Sequence, residues 1–363
     1  MQQPIRVLIV DDSKLVREIL KEILNQFPDI DVIGAACDAY EARELIKALN
    51  PDVITLDVEM PKMDGITFLK NVMRLRPMPV VMLSTLTTKG ADVTFEALEV
   101  GAVDFIAKPK SEKMMGNVDN FSHMLYEKII GAASVDIRAL KKRHVESQSV
   151  AYRGLDANNT IIALGASTGG TEALREVLKQ LPINSPPVVV TQHIPESFSL
   201  RFAKRLNEHC KMAVKEAADG DVLKAGNVYV APGNRHLCID LVRGQYLCRL
   251  DDSPAMNRHK PSVDMMFNSL AVISGTKIYS GLLTGMGADG AKGMLALKQN
   301  GAYTLIQDKA SSMIWGMPGA AFKLNAHTDQ SSLANFATTL LNKVNEGATV
   351  NIDSRKHNAS IRT

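Results

Sequence analysis

The sequence predicts an α/β protein built from two doubly wound domains, and three observations predict it. Five short Val/Ile-rich runs alternate with helical patterns through the first 110 residues. A stretch from about 126 to 157 then loses all sustained apolar periodicity. Beyond it the alternation starts again and continues to about Asp308. Strands that alternate with helices imply a parallel sheet covered on both faces. At 363 residues the chain is also long for one core, so two domains are its natural division.

The elements of the first half follow in order. IRVLIV, DVIGAA, DVITLDV, PVVMLS and AVDFIA read as five buried parallel strands. In KLVREILKEILNQF, residues Leu15, Val16, Ile19, Leu20, Ile23, Leu24 and Phe27 share one helical face. This domain is placed at residues 1–125. The segment 126–157, with its basic cluster Lys141–Lys142–Arg143, reads as a linker, and a nucleic-acid patch is the competing reading. The second domain, 158–345, opens on IIALGAS and continues with a helix at about 171–180, VVVTQH, a helix at about 198–209 and NVYVAPG. RHLCIDLVRGQYLCRL reads as an antiparallel hairpin. A helix at 262–274, KIYSGLLTG, a helix at 290–300 and AYTLIQD complete a mainly parallel sheet. The polar residues 346–363 read as a disordered tail.

Composition excludes several classes. Charged residues are 22% and hydrophobic residues 45%, ordinary for a globular protein, and no apolar run approaches the eighteen residues of a membrane span. MQQPIRVLIVDD reads as a first strand rather than a signal peptide. Cys37, Cys210, Cys238 and Cys248 lack zinc or redox spacing and fit incidental thiols of a reducing cytoplasm. Residues 1–140 carry 16 Lys/Arg against 21 Asp/Glu, and residues 141–363 carry 26 against 18. An acidic half followed by a basic half suggests two units with different partners. The basic excess is too dilute to indicate nucleic acid.

Chemistry gathers where strands end, because ligands of open α/β sheets bind beyond the strand carboxyl ends. In the first half those ends carry Asp11–Asp12, Asp57, Ser84 and Lys108–Pro109. Each like-charged pair of carboxylates costs on the order of 4 kcal/mol at about 4 Å and an effective dielectric near 20. A hard divalent cation such as Mg²⁺ removes that cost. A metal-bound carboxylate beside a lysine and a hydroxyl can accept a phosphoryl group. Helix capping by Asp12 and Ser13 is the plainer reading of one strand end. The set DD, LDVEMP, Ser84 and KP resembles the receiver domain of two-component response regulators, over about residues 4–122. The resemblance implies a flavodoxin-like five-stranded fold with Asp57 as phosphoacceptor. It also implies Mg²⁺ held by Asp11, Asp12 and Asp57, and phosphoryl contacts from Ser84 and Lys108.

In the second half, strand ends lead to Ser167 in GASTGG, His193 in TQHIP and Asp289 in LLTGMGADG. A nucleophile, a base and a carboxylate orienting the base are what acyl transfer requires. GASTG fits the G-x-S-x-G elbow, in which glycines relieve a sharp strand-to-helix turn. The same glycines could instead cradle a phosphate. The order Ser…His…Asp differs from that of α/β-hydrolases, so only turn geometry is shared. His236 and His259 are rival bases. GMGADG also reads as a dinucleotide fingerprint with Asp308 as its ribose acid, although Asp289 would then face a pyrophosphate of like charge.

Receiver, linker, GASTGG, TQHIP, YVAPGNRH, PSVDMMF and LLTGMGADG together resemble the protein-glutamate methylesterases of bacterial chemotaxis, over about residues 4–345. The resemblance implies a cytoplasmic hydrolase that cleaves glutamate γ-methyl esters and deamidates glutamines on chemoreceptors. Its catalytic residues would be Ser167, His193 and Asp289. Thr168 and Met286 would support the tetrahedral intermediate, and the catalytic domain would need no cofactor. The chemotaxis histidine kinase would phosphorylate Asp57 and thereby uncover the catalytic cleft. Binding of nucleic acid and insertion into a membrane are not expected. A DNA-binding response regulator and a receiver-controlled dinucleotide oxidoreductase are the alternative functions.

Overall fold

The structure is a computed structural model that describes residues 3–85, 88–108, 114–135, 137, 151–153 and 159–360. The chain divides into two compact units, residues 1–143 and 144–363. Among the described residues no helix is long and apolar enough to cross a membrane.

The first unit runs β1 (Ile5–Val10), α1 (Lys14–Leu24), β2 (Ile30–Ala36), α2 (Ala39–Leu49), β3 (Val53–Asp57), α3 (Gly65–Leu75), β4 (Val80–Ser84), α4 (Thr88–Val100), β5 (Asp104–Ala107) and α5 (Met114–Ala133). Its five strands are all parallel in the order β2-β1-β3-β4-β5. All five residues of β3 and of β4 are buried, as expected of central strands covered by helices on both faces. Strand order reverses between β1 and β3, which opens a crevice where Asp11 and Asp57 emerge. Ser13 caps α1 by accepting from Val16 N, while Asp11 Oδ1 accepts from Ser13 N at 3.0 Å.

The second unit contains β6 (Thr160–Ala166), α6 (Gly170–Leu178), β7 (Val188–Gln192), α7 (Glu196–His209), β8 (Ala213–Glu216), β9 (Asn227–Val230), β10 (His236–Val242) and β11 (Gln245–Asp251). It continues with α8 (Val263–Ala271), β12 (Lys277–Leu282), α9 (Ala291–Gln299), β13 (Tyr303–Gln307), α10 (Met317–Lys323), β14 (Asp329–Ser331) and α11 (Leu333–Ser360). The seven-stranded sheet is parallel throughout, in the order β14-β13-β12-β6-β7-β9-β8. β6 is buried along its whole length and lies between β12 and β7. Strands β10 and β11 form the separate antiparallel hairpin. Its turn residues Arg243 and Gly244 both have positive φ, which matches the twist of a two-residue hairpin.

Two boundaries differ from the sequence expectation. Position 125 falls inside α5, because Leu125, Ile129 and Ala132 continue one buried face. Helix α11 continues through Ser360, into the segment expected to be a disordered tail. It is seated by buried Phe336, Ala337, Leu340, Leu341 and Val344, and no proline interrupts it. Lys277 Nζ donates to Gly347 O at 2.7 Å, which anchors the helix beyond the expected boundary. Residues 361–363 and most of the linker lie outside the described residues.

Candidate active site

Ser167 follows β6, His193 follows β7, and Asp289 lies in the loop between β12 and α9. These three neighbouring parallel strands straddle the point where strand order reverses, so their ends share one rim. Ser167 N donates to Thr284 O at 3.0 Å, and Ser167 O accepts from Gln192 Nε2 at 2.9 Å. Both bonds fix the serine backbone against the two flanking strand ends. Gly169, with φ of +73°, turns the chain sharply into α6 in a conformation that a side chain would strain. Gly285 is required by space: a Cβ there would sit 2.8 Å from Ser167 Cβ and would run into Met317 Sδ.

His193 Nδ1 lies 3.1 Å from Ser167 Oγ, and His193 Nε2 lies 2.8 Å from Asp289 Oδ2. Asp289 Oδ2 also accepts from Val263 N at 2.6 Å. Its Oδ1 accepts from Ser262 Oγ at 2.7 Å, Asn257 Nδ2 at 3.1 Å and Asp264 N at 3.3 Å. Val263 and Asp264 begin α8, so the carboxylate also caps a helix N-terminus. Burial opposes its ionisation. The donors from His193, Ser262 and Val263 outweigh burial and hold the Asp289 carboxyl well below the usual carboxylate range. An ionised carboxylate only accepts hydrogen bonds, so Nε2 carries the imidazole proton. Nδ1 therefore turns a lone pair towards the serine hydroxyl. The arrangement can withdraw a proton from Ser167 and hold the resulting imidazolium.

Thr168 is buried and its carbonyl accepts from Thr284 Oγ1 at 3.0 Å. Met286 follows Thr284–Gly285, and Ser167 N donates to Thr284 O at 3.0 Å, so its loop runs beside the serine. The rival base His236 is fully buried and committed elsewhere. Its Nδ1 accepts from Ser262 N at 3.1 Å, and its Nε2 lies 3.2 Å from Pro254 O. His259, the other rival, stacks on His193 instead, with centroids 3.8 Å apart and planes 12° apart. The acids of the dinucleotide pattern are both engaged. Asp289 serves His193, and Asp308 Oδ1 closes a turn by accepting from Ser311 N at 2.8 Å and Ser311 Oγ at 2.6 Å.

Sequence reading did not anticipate Asn257, Ser262, Asp264 or Gln192. Ser262 had a local signal, as a serine directly before an apolar helical run. Gln192 ends β7 beside His193 and Asp264 lies in the first turn of α8, within the motifs TQHIP and PSVDMMF, whereas Asn257 reaches the site from a loop and leaves no local pattern.

The first unit brings together a second cluster. Ligand oxygens of Asp11, Asp12 and Asp57 lie within 4.8 Å of one another, two residues buried and Asp12 exposed. Lys108 Nζ lies 2.7 Å from Asp11 Oδ2 and 2.8 Å from Asp57 Oδ2. Burial raises the Asp57 carboxyl to about 6, against the pull of Lys108. Three carboxylates, of which one lysine pairs with Asp11 and Asp57, leave negative charge that a hard divalent cation fits, with water completing its shell. Ser84 is brought to the same rim, but its hydroxyl faces α4, 2.8 Å from Thr94 Oγ1 and 3.2 Å from Gly90 O.

Comparison with known proteins agrees with this division. The CheB methylesterase profile matches residues 162–340, and the response regulator receiver domain profile matches residues 7–119. A crystal structure of the Thermotoga maritima CheB methylesterase catalytic domain is similar, at 35% identity and a TM-score of 0.49. It covers 50% of this chain and 97% of that one. The protein-glutamate methylesterase/protein-glutamine glutaminase 1 of Xanthomonas campestris pv. campestris is 50% identical over 350 residues, which cover 94% of this chain and 98% of the relative. The protein-glutamate methylesterase/protein-glutamine glutaminase of Hydrogenovibrio crunogenus is 48% identical over 354 residues, covering 89% and 94%. Near-complete coverage at such identity, with both profiles in the same order, shows that the chain belongs to the CheB methylesterase family, a receiver followed by a methylesterase domain.

Proposed function

We propose that the protein is a phosphorylation-controlled protein-glutamate methylesterase and protein-glutamine glutaminase acting on cytoplasmic segments of chemoreceptors. The observation that carries this reading is the Ser167–His193–Asp289 relay, with contacts of 3.1 and 2.8 Å. Ser167 Oγ attacks the γ-carbonyl carbon of a glutamyl methyl ester while His193 Nδ1 takes its proton. Asp289 keeps the remaining imidazole proton on Nε2 and balances the imidazolium charge. Backbone groups at Thr168 and Met286 support the oxyanion. The carbon–methoxy bond then breaks, and His193 returns the proton to the departing methanol. Water, deprotonated by the same imidazole, attacks the acyl-enzyme; the acyl–Oγ bond breaks, His193 returns the proton to Ser167 Oγ, and glutamate is left. A glutamine side chain follows the same route and releases ammonia.

Asp57 is the phosphoacceptor, supplied by a chemotaxis histidine kinase. Asp11, Asp12 and Asp57 would hold Mg²⁺, which neutralises phosphoryl oxygens when bound. Lys108 stands beside Asp57 to contact the phosphoryl group, and Ser84 serves as its hydroxyl partner by turning from α4. Phosphorylation raises turnover through a population shift driven by contacts that the phosphoryl group makes in one state only. The test is methanol release from methylated receptor membranes, with and without acetyl phosphate and Mg²⁺. Wild type should release methanol and respond to acetyl phosphate, and Ser167→Ala should release none while Asp57 still accepts phosphate. Methanol release by Ser167→Ala at the wild-type rate would refute the reading.

A further inference from the structure

The loop before α8 contains a two-residue turn whose position the relay alone does not explain. Met256 and His259 exchange backbone hydrogen bonds, at 3.1 and 2.9 Å, across Asn257 and Arg258. Both central residues have left-handed φ, +52° and +66°, which asparagine tolerates and arginine adopts only under constraint. Such strain persists where surrounding contacts over-determine the backbone. Here those contacts converge on the relay. Asn257 Nδ2 bridges two carboxylates, Asp264 Oδ2 at 2.9 Å and Asp289 Oδ1 at 3.1 Å. Asp264 is itself tied to the start of α9, accepting from Gly293 N at 2.7 Å. On the other side, Lys260 Nζ holds Asp252 at 2.6 Å. The turn is pinned before and after His259, whose ring lies nearly parallel to that of His193 at 3.8 Å.

We propose that this turn clamps the triad, and that His259 is a positioning residue acting through His193. The inference rests on the hydrolase reading above. The two in-plane contacts of His193 fix the direction of its nitrogens but do not prevent the ring from tilting out of plane. A flat partner on its face does. The stacking surface is the operative property, so another flat ring should replace His259, whereas a small or aliphatic side chain should not.

The experiment compares full-length His259→Ala, His259→Leu and His259→Phe in methanol release from methylated receptor membranes and in phosphonylation of Ser167 by a fluorophosphonate. His259→Ala and His259→Leu should lower kcat about tenfold or more with KM within about twofold, and should slow Ser167 labelling in parallel. His259→Phe should recover both rates to within about threefold of wild type. The leucine variant keeps bulk in place should the alanine variant fold poorly. Wild-type rates in His259→Ala or His259→Leu, a change confined to KM, or His259→Phe as slow as His259→Ala would overturn the proposal. Labelling reads the stack independently of the substrate. Absent methanol release from a wild type that is still labelled would count against the methylesterase reading and not against the clamp.

Discussion

Replacing Asp289 by asparagine should separate the two duties of this carboxylate. Oδ2 accepts from a backbone donor, Val263 N at 2.6 Å, which cannot reverse its polarity. Oδ1 faces the Ser262 hydroxyl at 2.7 Å, which can rotate, and two longer donors, Asn257 Nδ2 at 3.1 Å and Asp264 N at 3.3 Å. The amide of Asp289→Asn should therefore keep its oxygen towards Val263 and His193 and turn its NH₂ towards Ser262. In that orientation the amide oxygen still accepts the Nε2 proton, so the tautomer survives while the charge beside the imidazole and the longer bonds from Asn257 Nδ2 and Asp264 N are lost. A unit charge 2.8 Å from the imidazolium contributes about 6 kcal/mol at an effective dielectric near 20. The retained neutral hydrogen bond is worth about 1 kcal/mol, which leaves a loss near 5 kcal/mol. That corresponds to between three and four decades in kcat. The assay is methanol release from methylated receptor membranes, with circular dichroism to show that the variant is folded. A folded Asp289→Asn within tenfold of wild type would refute the assignment of charge stabilisation to Asp289.

Three further outcomes follow from the same contacts. Because the folded Asp289 carboxyl is held below its unfolded value, its stabilisation is complete above about pH 4 and is lost as pH falls through the folded pKa. The melting temperatures of wild type and Asp289→Asn should thus converge on acidification below pH 4, and a constant gap would contradict this. Gly285→Ala should cost about 1–3 kcal/mol in a denaturant titration from overpacking and should also abolish methanol release, since the added methyl strikes Ser167 and Met317. Mg²⁺ at about 100 times its Kd should stabilise the first unit by about 2.7 kcal/mol in calorimetry, and Asp57→Asn should lose most of that shift together with activation by acetyl phosphate.

Much of this architecture was legible because parallel sheets deliver their chemistry at strand ends. Asp11, Asp57 and Lys108 were placed from apolar runs alone, and the structure gathers them within ion-pairing distance. Ser167, His193 and Asp289 were placed the same way and meet in hydrogen-bonding range. The hairpin was readable from its alternation around Arg243–Gly244. Short elements were not. Strand β8 has only Val214 buried among its four residues, and β14 has three residues, too few to show a period. Nor was the support around the triad readable. Asn257 and His259 lie in a polar loop far along the chain from Ser167, and only folding makes them neighbours of Asp289 and His193. The far end of helix α11 is not legible in the sequence because residues 346–363 are mainly polar.

The most direct measurement of whether hydroxyl, imidazole and carboxylate work as one unit is a double-mutant cycle on kcat for methanol release, using His193→Gln, Asp289→Asn and the pair. If Asp289 acts only through the imidazole, the double variant should be no slower than His193→Gln alone. Losses that multiply in the double variant would mean that the two residues contribute separately, and the relay described here would not be the catalytic device.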